Sequence, residues 1–158
     1  MSMNPTMNDN DAIQGSQAEC YVTIDGNRYK LMQLYEFEAT VTPNIIDVPI
    51  LGRTGKGKKT AGWSGAWSGT AHYNTSIFRR WFLQYKKTGE MTPFEIQVSN
   101  EDRSSGAGRQ TTILSGCLID SLVLAKFNAD DELLTEDISG TFSDFEMPEE
   151  FNLLDGME

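Results

Sequence analysis

Metal-binding and redox side chains are scarce in this sequence: it has two cysteines and one histidine in 158 residues. Cys20 and Cys117 stand far apart with no CxxC spacing, so neither a disulfide framework nor a thiol redox motif is indicated. A lone His72 falls short of the His and Cys clusters on which zinc sites draw, and no metal or other cofactor is expected. Long apolar runs are also missing. None approaches the roughly 18–20 residues of a membrane helix, so no stable membrane association is expected. The polar start, Met1 to Gln17, has neither the basic region nor the apolar stretch of a secretory leader. From Asp130 onward there is no Lys or Arg, so the net charge of −10 belongs to the C-terminal fifth of the chain. Tight binding of nucleic acid is thereby disfavoured, because phosphate contacts need clustered cations.

What is present is alternation. Glu19 to Ile24 and Tyr29 to Leu34 flank Asp25-Gly26-Asn27, which predicts a β-hairpin. From Gln33 to Thr42, Tyr35, Phe37, Ala39 and Val41 point one way and Glu36, Glu38, Thr40 and Thr42 the other, as expected of a strand with one buried face. Pro43 and Pro49 interrupt Asn44 to Leu51, which reads as an edge strand or extended arm. Gly52 to Gly62, with Arg53, Lys56, Lys58 and Lys59, reads as a flexible basic loop. In the next strand Trp63, Gly65, Trp67, Gly69, Ala71 and Tyr73 share one face, and Ser64, Ala66, Ser68, Thr70 and His72 the other.

Asn74, Thr75 and Ser76 are good helix caps. Ile77, Phe78, Trp81, Phe82 and Tyr85 then recur at helical spacing, Lys86 and Lys87 suit the negative end, and Gly89 is a natural stop. Further strands are expected at Phe94 to Val98, at Gln110 to Ala125 with a bend near Gly116, and at Leu133 to Phe145. In the last, Leu134, Glu136, Ile138 and Phe142 share one face, while Thr135, Asp137, Ser139 and Thr141 share the other. The fold expected is mainly β: a barrel or sandwich of about seven strands with one flanking helix.

Catalytic motifs fail in detail. Gly52 to Thr60 approaches a P-loop, but Lys59 stands where the hydroxyl for magnesium is needed, and a strand rather than a helix follows. Gly62-Trp63-Ser64-Gly65 lacks the closing glycine of a nucleophile elbow, since residue 66 is alanine. The carboxylate pairs Glu36 with Glu38 and Glu136 with Asp137 come with no sign of the shared cleft that a glycosidase needs. No enzyme is expected. Trp63, Trp67 and Tyr73 can make either a sugar-binding platform or a core face, and the core is the commoner use of such aromatics.

The order of these segments resembles one family. A strand ending in Glu36-Phe37-Glu38-Ala39 leads to a basic Gly-rich loop, then Gly62-Trp63-Ser64-Gly65, then a helix from Phe78-Arg79-Arg80-Trp81 to Lys86-Lys87-Thr88-Gly89. Phe94-Glu95-Ile96, the stretch from Gly106 to Asp120, and a closing segment from Ser139 to Phe151 continue the match. The pattern is similar to the tail tube proteins of PBSX-like prophages and their relatives in contractile tails, from Cys20 to Phe151. The division implied is a flexible arm over 1–18, a tail-tube β-barrel domain over 19–151 and an acidic tail over 152–158. The resemblance implies hexameric rings stacked into a hollow tube in a virion tail or tail-like particle, made in the bacterial host cytoplasm. The implied partners are copies of itself, a sheath protein, a tape-measure protein, and baseplate and tail-terminator proteins, with DNA only in passing. Within that frame Glu36, Glu38 and Asp137 are candidates for the lumen, with Ser64, Ser68, Thr70 and His72 as an uncharged second lining face. Arg53, Lys56, Lys58 and Lys59 are candidates for a contact between rings. The tube of a bacteriocin or secretion-type machine, and a monomeric carbohydrate- or protein-binding β module, stay open as alternatives.

Overall fold

A computed structural model describes residues 6–157; Met1 to Pro5 of the expected arm and Glu158 of the expected tail lie outside the described residues. The hairpin of Ala18–Ile24 (β1) and Asn27–Lys30 (β2) turns on Asp25 and Gly26. Both have positive φ, which is why Asp-Gly suits a two-residue turn. A long antiparallel pair follows, Leu34–Val48 (β3) with Gly57–His72 (β4). The helix Ile77–Thr88 (α1) starts after Ser76, whose side chain makes no capping bond, and stops at Gly89 in the left-handed region. Phe94–Glu101 (β5), Arg109–Ser121 (β6), Thr135–Phe142 (β7) and Asp144–Glu149 (β8) complete the chain.

The strand order is β2-β1-β5-β6-β7-β4-β3, with β8 also on β6, and the path does not close into a barrel. Instead β6 belongs to two layers. Its first half pairs with β5 and β8, and Leu118 to Ser121 pair with β7. The chain bends between them at Gly116, where φ is +66°. A Cβ there would strike Ser143, whose N–H donates to Ser115 O at 3.0 Å and whose hydroxyl donates to Gly116 O. Ser143 is the residue at which β7 ends and β8 begins, so both strands turn the corner together. The result is a two-layer sandwich sharing one strand, with eight strands where about seven were expected.

The core fills the space between layers, and α1 plugs it. Val22, Ile96 and Leu114 come from one layer and Trp67, Ile138 and Phe142 from the other. Phe94 is met edge-on by Trp67 at 6.1 Å and by Trp81 of the helix at 5.5 Å. Such pairs add about 0.5–1.5 kcal/mol each beyond area burial. The indole N–H groups are satisfied, Trp67 donating to Thr141 O and Trp81 to Thr92 O.

Several sequence expectations are corrected here. The polar-apolar alternation of β3 does not bury a face in the single chain: Phe37 is half-buried, but Ala39 and Val41 are exposed. The hairpin runs out past the core, leaving nothing to cover them. A register shift between Leu34 and Glu36 also turns Tyr35 away from Phe37, so that it lies against His72 at 5.0 Å. The basic loop is shorter than expected, because β4 begins at Gly57 and takes Lys58 and Lys59 into the ladder. The strand expected to reach Ala125 ends at Ser121.

Candidate functional site

The four strands of the second layer carry a polar face opposite the core. Register sets its rows. Glu36 lies opposite Thr70, and Thr70 opposite Asp137, with the Thr70 hydroxyl donating to Asp137 Oδ1 at 3.0 Å. Glu38 lies opposite Ser68, Ser68 opposite Ser139, and the Ser139 hydroxyl donates to Asp120 Oδ1 at 2.6 Å. Ser64 lies opposite Thr42 in the same strand pair. The charged and uncharged faces that the sequence suggested separately are therefore one surface, and His72 borders it through Tyr35. Asp120 is an addition; the sequence places it in a β-prone run, and only pairing of β6 with β7 brings it here. Across Leu34–Thr42, Ser64–His72, Leu118–Ser121 and Thr135–Phe142 there is no Lys or Arg. The face is accordingly anionic.

The aromatic face behind it is divided. Trp67 is buried in the core, while Trp63 is half exposed and packs on Phe142 and Phe145. Tyr73 lies under the Arg79 guanidinium at 4.3 Å. These three rings do not share an open platform.

Glu136 is the one carboxylate of β7 that points inward, with 2% of its surface exposed. Arg79 of α1 meets it in an ion pair and also donates to Thr75 O and, through Nε, to Val123 O at 3.0 Å. Burial pushes the Glu136 carboxyl above its usual range, while Arg79 and Lys126 act in the other direction. The pair fastens the helix to the back of the anionic sheet.

The candidate basic residues sit at the far end of the β3–β4 hairpin. Arg53 and Lys56 lie in the connection 49–56; Lys58 is paired with Asp47 across the strands, and Lys59 lies opposite Ile46. Apolar side chains join them: Ile45, Ile46 and Ile50 are exposed, and Leu51 is fully so. Charge marks the four basic residues in the sequence, whereas the exposure of Leu51 follows only from the turn. Arg53 N–H bonds to Ile50 O at 3.2 Å, and Gly52, with φ of +86°, completes a turn that holds Leu51 at the apex. Residues 11–17 pack beside the 102–107 loop, Asp102 accepting from Gln14 N–H and Asp11 from Gly106 N–H.

A family model described as phage tail tube protein matches residues 5–149. The chain belongs to the phage tail tube protein family. This tube protein is 32% identical over 142 residues to the Bacillus subtilis (strain 168) phage-like element PBSX protein XkdM, covering 90% of this chain and 94% of that one. Two solved structures share the fold at lower identity. A chain of the anti-feeding prophage baseplate has a TM-score of 0.64 at 11% identity, with 93% of this chain and 97% of that chain covered. A chain of the sheath-tube complex of an extracellular contractile injection system has a TM-score of 0.60 at 12% identity, with 81% and 86% covered. The tube protein is a structural subunit of a phage-type tail, with no helix long and apolar enough to cross a membrane among the described residues.

Proposed function

We propose that the tube protein assembles into six-membered rings whose anionic sheet faces the lumen, and that the rings stack through the basic hairpin tip. The observation that carries this is the pair of free edges on the four-stranded layer. Among the described residues, strand β3 has a partner on one side only, and Leu118 to Ser121 of β6 have β7 on one side and no strand on the other. A 15-residue edge strand is a standing template for pairing. Joining β3 of one copy to the β6 edge of the next covers the short β6 edge and part of the longer β3 edge, and the contact repeats around a closed ring. The polar face, with Glu36, Glu38, Asp120, Asp137, Ser64, Ser68 and Thr70, then lines one continuous channel. Carboxylates repel passing phosphates, so DNA slides without being held. Helix α1, on the other side of the sheet, faces outward.

Six copies per ring agree with the sixfold-symmetrised assembly of the anti-feeding prophage relative in fold. Sheath, tape-measure, baseplate and terminator proteins are the partners this architecture calls for. The role is mechanical, with no catalytic step. Arg53, Lys56, Lys58 and Lys59 of the tip meet acidic groups of the next ring. Negative-stain electron microscopy of the purified protein, fresh and after concentration, tests the proposal. Hollow rings or tubes with sixfold end views are expected. Dispersed monomers at all concentrations, with sheath and baseplate proteins added, would sink it.

A further inference from the structure

The sandwich is open along one seam, where β1 and β2 face the start of β3, and a cleft of about 640 Å³ lies there. Leu31, Leu34, Phe37 and Val98 form its apolar wall, and exposed Met32 stands in its lining. Phe37 stacks on Trp67 at 6.1 Å, so this wall belongs to the core side of the sheet, away from the anionic face. A volume of that size, within the roughly 300–1,000 Å³ that holds a small ligand, has room for a few side chains. At the opposite edge of the same layer, the connection 122–134 runs on from β6 with no helix or strand of its own. A connection of that length is uncommon in a compact domain unless it has a function. Its backbone is pinned, Arg79 Nε donating to Val123 O at 3.0 Å and Lys126 Nζ to Thr135 O at 2.8 Å. Leu124 and Phe127 nevertheless project into solvent, Phe127 with 92% of its surface exposed.

We infer that Leu124 and Phe127 of one copy seat in the seam cleft of its neighbour within the same ring, so that each sandwich is completed by the next subunit. Strand register carries the argument. Glu38, Ser68, Ser139 and Ser121 form one row across β3, β4, β7 and β6. Every pairing in that layer is antiparallel, so β6 runs opposite to β3 and joins the β3 of a second copy in the antiparallel sense. Past Ser121 the chain heads toward the cleft end of the layer. The next row holds Phe37, Gly69 and Ile138, and the row two further on holds Leu34, Ala71 and Glu136. A joint that carries these rows straight across brings residues 122–124 of one copy beside Phe37 to Leu34 of the next, at the mouth of the cleft. The chain cannot fill its own cleft, because three strand spacings, roughly 14 Å, separate β6 from β3. Charge agrees as well. Strand β2, on one lip of the cleft, carries Arg28 and Lys30 and no acid, although Lys30 also meets Glu19 at 3.7 Å. Asp130, Asp131 and Glu132 follow Phe127 on the incoming segment.

This inference rests on the ring reading and adds the contact that closes the seam. Native Cys20 and Cys117 are buried, which leaves a quiet background for cysteine cross-linking. Met32→Cys and Phe127→Cys, both at exposed positions, are placed in one chain, which is assembled and treated with a short bis-maleimide. On denaturing gels the rings should give a ladder of covalent products that ends at six copies, and dispersed subunits should give none. In a second variant, Leu124→Asp with Phe127→Asp, the subunit should keep its melting temperature. The protein concentration at which its rings form should rise at least about tenfold, because burying one Leu or Phe outweighs the 1.4 kcal/mol that a tenfold change represents. Rings that give no ladder, a ladder that runs past six copies, or rings of the Asp variant at unchanged concentration would overturn the seam assignment and leave the ring reading intact. Failure of the unsubstituted protein to form any ring would overturn both.

Discussion

Replacing Arg79 with methionine isolates the buried ion pair that holds helix to sheet. Methionine keeps much of the aliphatic volume but leaves the Glu136 carboxyl, 2% exposed, without its cation. Removing one partner of such a pair costs about 3–5 kcal/mol at neutral pH, because a buried charge is left uncompensated. For a domain of this size each kcal/mol lowers the melting temperature by about 2–4 °C, giving a fall of about 6–20 °C. The pH dependence identifies the cause. Burial already raises the folded-state pKa of Glu136 above its ordinary 4.5. As pH rises from that value through the folded pKa, the unfolded chain has lost the proton that the folded chain retains, so this group's contribution to stability falls. Without Arg79 the folded pKa moves higher and the loss continues to higher pH. The deficit of Arg79→Met should therefore be smallest near pH 5 and largest near pH 8, measured by thermal melts followed by circular dichroism. A second substitution, Glu136→Gln, should recover part of it, with the lost bonds to Thr75 O and Val123 O remaining. A deficit of equal size at both pH values, or no recovery in the double variant, would refute the reasoning.

Other consequences are simpler to read. Gly140→Ala would drive a methyl into Leu118 O and to 2.8 Å from the Trp67 ring; a loss of at least about 1–3 kcal/mol is expected by denaturant titration. With thiols raised to about 12 from 9.0, Cys20 and Cys117 carry about a thousandfold less thiolate than free cysteine, so folded protein should resist Ellman's reagent near pH 8 and react on unfolding. The same shift means that stability falls as pH climbs from 9.0 toward about 12, where the unfolded thiols ionise and the folded ones do not; a flat melting temperature across that window would contradict it. Changing Lys56 and Lys59 together to Glu, with Lys58 kept because it pairs with Asp47, should abolish stacking while rings and melting temperature persist, as judged by electron microscopy and calorimetry.

The sequence by itself determined what depends on near neighbours. Asp25-Gly26 dictates its turn because few other residues accept two successive positive φ values. The spacing from Ile77 to Tyr85 and the stop at Gly89 give the helix, and the period of two from Gly65 to His72 gives a strand with a core face and a polar face. The inward set of Glu136, Ile138 and Phe142 was legible in the same way, and so was the bend at Gly116.

What only the tertiary structure decided concerns partners distant in sequence. Glu36, Thr70 and Asp137 meet because three strands pair in one register, and no local pattern encodes that choice. The salt link from Arg79 to Glu136 spans the helix and β7, so the sequence shows two charged residues and not a pair. Alternation in β3 predicts a buried face, yet Ala39 and Val41 stay exposed, since periodicity reports which side chains point together and not whether anything lies against them. The open seam and the reach of the hairpin exist only once the two layers share β6 and stop short of closure. A surface made by strands from different parts of the chain has no signature until they are brought together.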